Sequence, residues 1–182
     1  MSDVPSQATA DRLTVVLRRA GVLGRGEVLD VAVESSRDTL ISRVTRLRLT
    51  YGDGDQDPSH VFYKTQREGV DEALREFGRK EVTFYDVVAT ARPPGLPPRC
   101  YEAVAEPERP WHLLLEDLTA SHAALDEWPL PPPVERFHAI VAAHARFHAA
   151  WWDHERLGVS VGAFVACVMA AVHDLGCLDL LD

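Results

Sequence analysis

Two charged side chains stand where the surrounding pattern calls for apolar ones, and they are the residues whose chemistry is most readable. Lys64 lies in the stretch His60-Val61-Phe62-Tyr63-Lys64-Thr65-Gln66. Its aromatic and β-branched content suits a strand, and alternation places Phe62 and Lys64 on one face. On an interior strand that face is covered, and a covered ammonium needs an anionic partner, because burying an unpaired charge is costly. The alternative is a lysine at a strand edge whose stem carries the charge out to water. The second residue is Glu81. From Val70 to about Thr90, the residues Val70, Leu74, Phe77, Phe84 and Val88 keep the spacing of one helix face, with Tyr85 beside them. Glu81 occupies the rung between Phe77 and Phe84, a carboxylate centred on an apolar stripe. A helix that follows a strand after a short loop can pack on it, so Glu81 is the expected partner of Lys64. Otherwise Glu81 turns to solvent, or pairs with Arg79 or Lys80.

Other chemistry-bearing residues are fewer. His144 and His148 are four apart on one predicted helix, a spacing that suits zinc, but no carboxylate or third histidine completes a motif. Both also fit a packed helix face. Cys100, Cys167 and Cys177 form neither a CxxC pair nor a zinc pattern, which suggests reduced thiols in a cytoplasmic protein.

The elements that must position Lys64 and Glu81 follow from periodicity. Thr9 can cap a helix from Ala10 to about Ala20 that stops at Gly21. Glu27 to Glu34 alternates as a strand, Ser35-Ser36-Arg37-Asp38 is a polar turn, and Leu40 to Tyr51 alternates again, which makes a hairpin. The acidic loop Gly52 to Ser59 leads into the Lys64 strand, so the first three strands form a meander. After the Glu81 helix, Pro93 to Pro98 break the chain. Arg99 to Ala105 and Trp111 to Glu116 are two further strands around the Glu106 to Pro110 turn. The fold class is therefore α+β: a five-stranded antiparallel sheet with an inserted helix, followed by a small helical segment. That segment begins after the Pro131-Pro132-Pro133 run, with a helix from Val134 to about Leu157 and another from Val161 to His173. Residues 8–118 are expected to form one lobe, 119–132 a linker and 133–182 the start of a second.

The formal net charge of −9 argues against a general nucleic-acid binder. The small polar stretch Met1 to Ala10 has no apolar core of a signal peptide. Leu157 to His173 is a poor membrane span, so neither membrane nor nucleic acid is an expected partner.

A small sheet with a lysine on its third strand, a glutamate on the next helix and a polar exit from its fifth strand resembles the nucleotide-binding lobe of protein-kinase-like phosphotransferases. Glu81-x-x-Phe84-Tyr85, Leu113-Leu114-Leu115-Glu116-Asp117-Leu118 and His144-Ala145-Arg146-Phe147-His148-Ala149-Ala150-Trp151-Trp152 are similar to the aminoglycoside-phosphotransferase superfamily. The choline-kinase-like and ecdysteroid-kinase-like branches are the nearest in pattern. The resemblance covers roughly Leu13 to Leu157. It implies that ATP is the ligand, that Lys64 contacts its phosphates and that Glu81 orients Lys64. It also implies that Leu115, Glu116, Asp117 and Leu118 form the hinge to the adenine edge. Ser35, Ser36 and Thr39 then belong to the phosphate-covering turn, with hydroxyls that can reach phosphate oxygens.

The resemblance further implies a His-Gly-Asp-x-x-x-x-Asn loop and a second, magnesium-holding aspartate. This chain contains no asparagine, and His173-Asp174-Leu175-Gly176 is only a superficial echo. From Leu157 to Asp182 there is no Lys, Arg or Glu, a composition break that suggests a truncated or frame-shifted end. The expected function is a small-molecule kinase of this superfamily, with a hydroxyl or amine acceptor, interrupted before its catalytic loop and inactive in this form. The alternative is a non-catalytic nucleotide-binding or interaction module. Helices after Pro133 that lack the rest of a second lobe should leave Phe147, Trp151 and the Val161–Val172 face partly exposed and promote self-association.

Overall fold

The computed structural model describes residues 3–52, 58–88, 97–107, 109–122 and 133–155. The chain divides into two compact units, one of residues 1–90 and 97–128, the other of residues 91–96 and 129–182. The expected helix from Val161 to His173 and the Pro131–Pro132 run lie outside the described residues.

The first unit holds α1 (Ala10–Arg19), β1 (Val28–Asp38), β2 (Ser42–Tyr51), β3 (His60–Gln66), α2 (Glu72–Val88), β4 (Cys100–Val104) and β5 (His112–Glu116). Its five strands form one antiparallel sheet in the order β1-β2-β3-β5-β4, the α+β architecture the alternation predicts. β3 is interior, between β2 and β5, because the chain leaves the sheet through α2 and returns to the far edge before β5 pairs inward.

The sheet separates two cores. On one face α1 buries Leu13, Val16 and Leu17 against Val28, Val31, Leu47, Leu49, Val61, Tyr63 and Leu114. Gly21, at φ +69°, ends α1 in the left-handed region that glycine enters without strain. Thr9 stands at the N-cap position but its side chain makes no capping bond. On the other face Val82 and Tyr85 of α2 pack with Trp111, Leu113 and Leu115. Asp71 starts α2: its carboxylate accepts the Leu74 N–H at 2.9 Å and its carbonyl the Arg75 N–H at 3.0 Å.

One boundary differs from expectation. β1 runs on through Ser35 and Ser36 to Asp38, with a register shift between Val33 and Ser35. The hairpin turn therefore falls at Thr39–Ser42, closed by the Thr39 N–H to the Ser42 carbonyl at 2.7 Å. The polar residues that read as a turn are ladder residues displaced by a bulge, and the long pairing with β2 outweighs their local preference.

In the second unit the described residues form α3 (Val134–Trp151), which opens with Phe137 N–H donating to the Pro133 carbonyl at 3.0 Å. Val134, Phe137, Ile140 and Val141 are exposed along it. Phe147 is half-buried, but Trp151 is 5 % exposed and lies against His154, with ring centroids 4.5 Å apart, contrary to the expected exposure of Trp151.

Candidate functional site

Lys64 pairs across the ladder with Val44 on β2 and Leu113 on β5, so its side chain stands on the α2 face of an interior strand. Its ammonium donates to both carboxylate oxygens of Glu81, each at 2.7 Å. The two side chains are 22 % and 30 % exposed, mostly covered but still in contact with solvent. Two of the three ammonium N–H groups face Glu81, which leaves one for a further acceptor.

The helix presents Glu81 differently from the pattern drawn on the sequence. The face turned to the sheet is Gly78, Val82 and Tyr85, while Phe77, Glu81 and Phe84 form the half-buried flank beside it. Glu81 is thus at the margin of the contact, where a carboxylate can touch a strand lysine and water together. Tyr85 beneath it is pushed up to about 12, by burial first and by the Glu81 charge second.

Phe62 and Leu115 are paired neighbours and lie on the same face as Lys64, an apolar floor leading from the ammonium to the exit of β5. Leu113, beside Lys64, and Asp117 are four residues apart along extended chain, about 13 Å. At the exit, the Glu116 N–H donates to the Arg99 carbonyl at 2.8 Å, but the Arg99 N–H goes to the Glu116 carboxylate at 2.9 Å. The Glu116 carbonyl is therefore left out of that exchange. The Leu118 carbonyl accepts from Ser121 at 3.0 Å and His122 at 2.9 Å, and the Leu118 N–H has no partner among the described residues.

Arg46, which the sequence did not single out, ties this end together. Paired with Phe62 on the same face, it donates to Asp117 at 2.7 Å and to Glu34 at 2.6 Å, and Glu34 also meets His60 at 3.0 Å. Burial pushes the Asp117 carboxyl up, but hydrogen bonds from Thr119 and Arg46 outweigh it and hold it below the usual carboxylate range. Nothing local in the sequence links Arg46 to Asp117.

The remaining expected positions are less convergent. Ser35 and Ser36 are exposed residues of β1, paired with Arg46 and Thr45, and the Ser36 hydroxyl is 3.0 Å from that of Thr45. Thr39 alone reaches the turn, where its hydroxyl bonds Ser42 at 2.7 Å and 3.0 Å. A pocket of about 380 Å³ opens beside the exit segment, lined by His60, Arg99, Tyr101, Glu116 and Asp117 among others. Lys64 does not line it.

On the opposite face, Glu102 is buried between Arg12 at 2.7 Å, Arg19 at 3.1 Å and His112 at 3.0 Å, and His112 stacks on Tyr63. This network anchors α1 to β4 and β5. Its sequence signal, a glutamate and a histidine in short apolar strands, was available but pointed to no partner. His144 and His148 lie with ring centroids 6.2 Å apart, and among the described residues no group of three or more metal-ligating side chains is present. No helix among the described residues is long and apolar enough to cross a membrane.

Comparison of the chain with protein-family models, curated proteins and solved structures gives no match.

Proposed function

We propose that the first unit is a nucleotide-binding lobe of the kind found in small-molecule kinases, and that Lys64 is its phosphate contact. The observation that carries this reading is the two-pronged Lys64–Glu81 contact on an interior strand. A lysine held by both oxygens of a carboxylate, on the face that leads to the sheet exit, is preorganised for an anionic ligand. The donor set suits a nucleoside triphosphate. Lys64 has an N–H to offer to phosphate, Phe62 and Leu115 give a flat apolar floor, and the Glu116 carbonyl and Leu118 N–H suit an adenine edge, which carries one donor beside one acceptor.

These 182 residues are proposed to grip the nucleotide without turning it over, because they contain no asparagine for the catalytic loop that the resemblance implies. Among the described residues there is no cluster of ligands for the magnesium ion that the resemblance implies. The non-catalytic module is the same reading without an acceptor site. Exposed Phe137, Ile140 and Val141 on α3 support self-association, which sedimentation velocity would register as a coefficient that rises with concentration.

Isothermal titration with a non-hydrolysable ATP analogue tests the proposal. Binding is expected, and Lys64→Met should weaken it about tenfold to a hundredfold, the loss of a charge-assisted hydrogen bond. Equal affinity of the parent chain and Lys64→Met, or no binding by the parent chain, would remove the reading.

A further inference from the structure

One residue pair brings the backbone of α2 into direct contact with a side chain of the sheet, next to the Lys64–Glu81 contact. Gly78 lies on the sheet-facing side of α2, one turn before Glu81. A Cβ built there would stand 2.0 to 2.2 Å from the indole atoms of Trp111, so the helix backbone rests directly on the ring. Trp111 is 1 % exposed and packed among Val82, Tyr85, Leu113 and Leu115, which leaves it no room to move aside. Its backbone is also held. The Trp111 carbonyl accepts the Thr65 hydroxyl at 2.8 Å and the Gln66 N–H at 3.3 Å, from the two residues that follow Lys64. One residue therefore touches both carriers of the pair, with its side chain under α2 and its backbone on β3.

Two further observations set this apart from ordinary packing. A glycine in a helix interior is unfavourable relative to alanine, and Gly78 is the only one in α2. Among the described residues the buried Trp111 Nε1 has no hydrogen-bond partner, so the indole is held there by shape and not by its polar group.

We propose that Gly78 and Trp111 are positioning residues for Lys64 and Glu81: the missing side chain at 78 lets α2 settle on the indole, and that seat brings the Glu81 carboxylate within reach of β3. Moving a Cβ from 2.0 Å to the 3.4 Å of ordinary contact lifts the helix by about 1.4 Å, half the length of the 2.7 Å Lys64–Glu81 bonds. The consequence for ligand binding rests on the nucleotide reading; the consequence for the ion pair does not.

The test uses the full chain and two readouts. The chain has only two lysines, Lys64 and Lys80, so acetylation by an N-hydroxysuccinimide ester can be followed at Lys64 by peptide mass spectrometry against the amino terminus. Affinity for a non-hydrolysable ATP analogue is the second readout. Gly78→Ala is expected to speed Lys64 acetylation and to weaken nucleotide binding about tenfold, the loss of a charge-assisted contact. Gly78→Ala combined with Trp111→Leu, which makes room for the added methyl group, should bring both back to within about threefold of the parent chain. Unchanged Lys64 reactivity in Gly78→Ala, or no recovery in the double variant, overturns the proposal. Should Gly78→Ala not fold, Trp111→Leu alone is read in its place: faster acetylation supports the seat and unchanged acetylation overturns it. If the parent chain binds no nucleotide, the function proposed above fails, and the acetylation readout still decides the seat.

Discussion

A double-mutant cycle on Lys64 and Glu81 is the most direct check on the centre of this fold. Lys64→Met keeps the length of the stem and removes the charge, and Glu81→Leu removes the carboxylate. The magnitude follows from the cover over the pair. Exposed ion pairs contribute about 0–1 kcal/mol, and breaking a fully buried one costs about 3–5 kcal/mol. With the side chains 22 % and 30 % exposed, this pair lies between the two. Each single variant should therefore lose about 1–3 kcal/mol, with a coupling of about 1–2 kcal/mol. Urea unfolding followed by tryptophan fluorescence gives the free energies, and thermal melts should fall by about 2–4 °C for each kcal/mol at this chain length. Because the contact is largely covered, the coupling should also persist in 1 M salt (about 3 Å screening length), where exposed pairs fade. A coupling indistinguishable from zero at low salt would refute the claim that the two side chains form one unit, and with it the preorganised grip.

Arg46→Ala should loosen the exit segment, raise amide exchange at Asp117 to Thr119 and cost about 1–2 kcal/mol, since it leaves the partly covered Asp117 and Glu34 carboxylates without their shared guanidinium. Acid sensitivity should centre on Glu102. Burial pushes its carboxyl up, but His112 and Arg12 together outweigh burial and hold it below its ordinary value. Its contribution is then complete above the ordinary carboxylate pKa and is lost as pH falls through the folded value, so unfolding free energy should drop in that acidic window. Glu102→Gln should flatten the drop, and an unaltered pH profile would count against it. Cys100 should resist alkylation at neutral pH in the folded chain, because burial pushes its thiol up to about 12. Its labelling rate with iodoacetamide should be well below that of the unfolded chain, and equal rates would count against this burial.

The local periodicities carried most of the architecture. Alternation marked the first three strands, and β3 occupies His60–Gln66 as the residue types suggested, because a strand writes its two faces into every second residue. By contrast, β5 is a continuous buried run set off only by its flanking turn. Lys64 and Glu81 were legible for the same reason: each is a charge on a face its neighbours make apolar. Even Gly78 left a trace, as a glycine inside a strong helix pattern, a mark of close approach that the apolar stripe concealed.

Local pattern thus marks which residues are anomalous on their own elements. Which of these anomalies meet is chosen by sheet order and packing. The bulge after Val33 moved Ser35 and Ser36 out of the turn, a register choice set by pairing with β2 that their own polarity opposed. Arg46 found Asp117, a residue from another strand's exit, and Glu102 found His112 and two arginines of α1. Trp111 became the seat of α2 only once β5 had been placed beside β3. Periodicity records one element's burial, whereas these contacts join elements far apart in the chain, and their partners are chosen by sheet order and register.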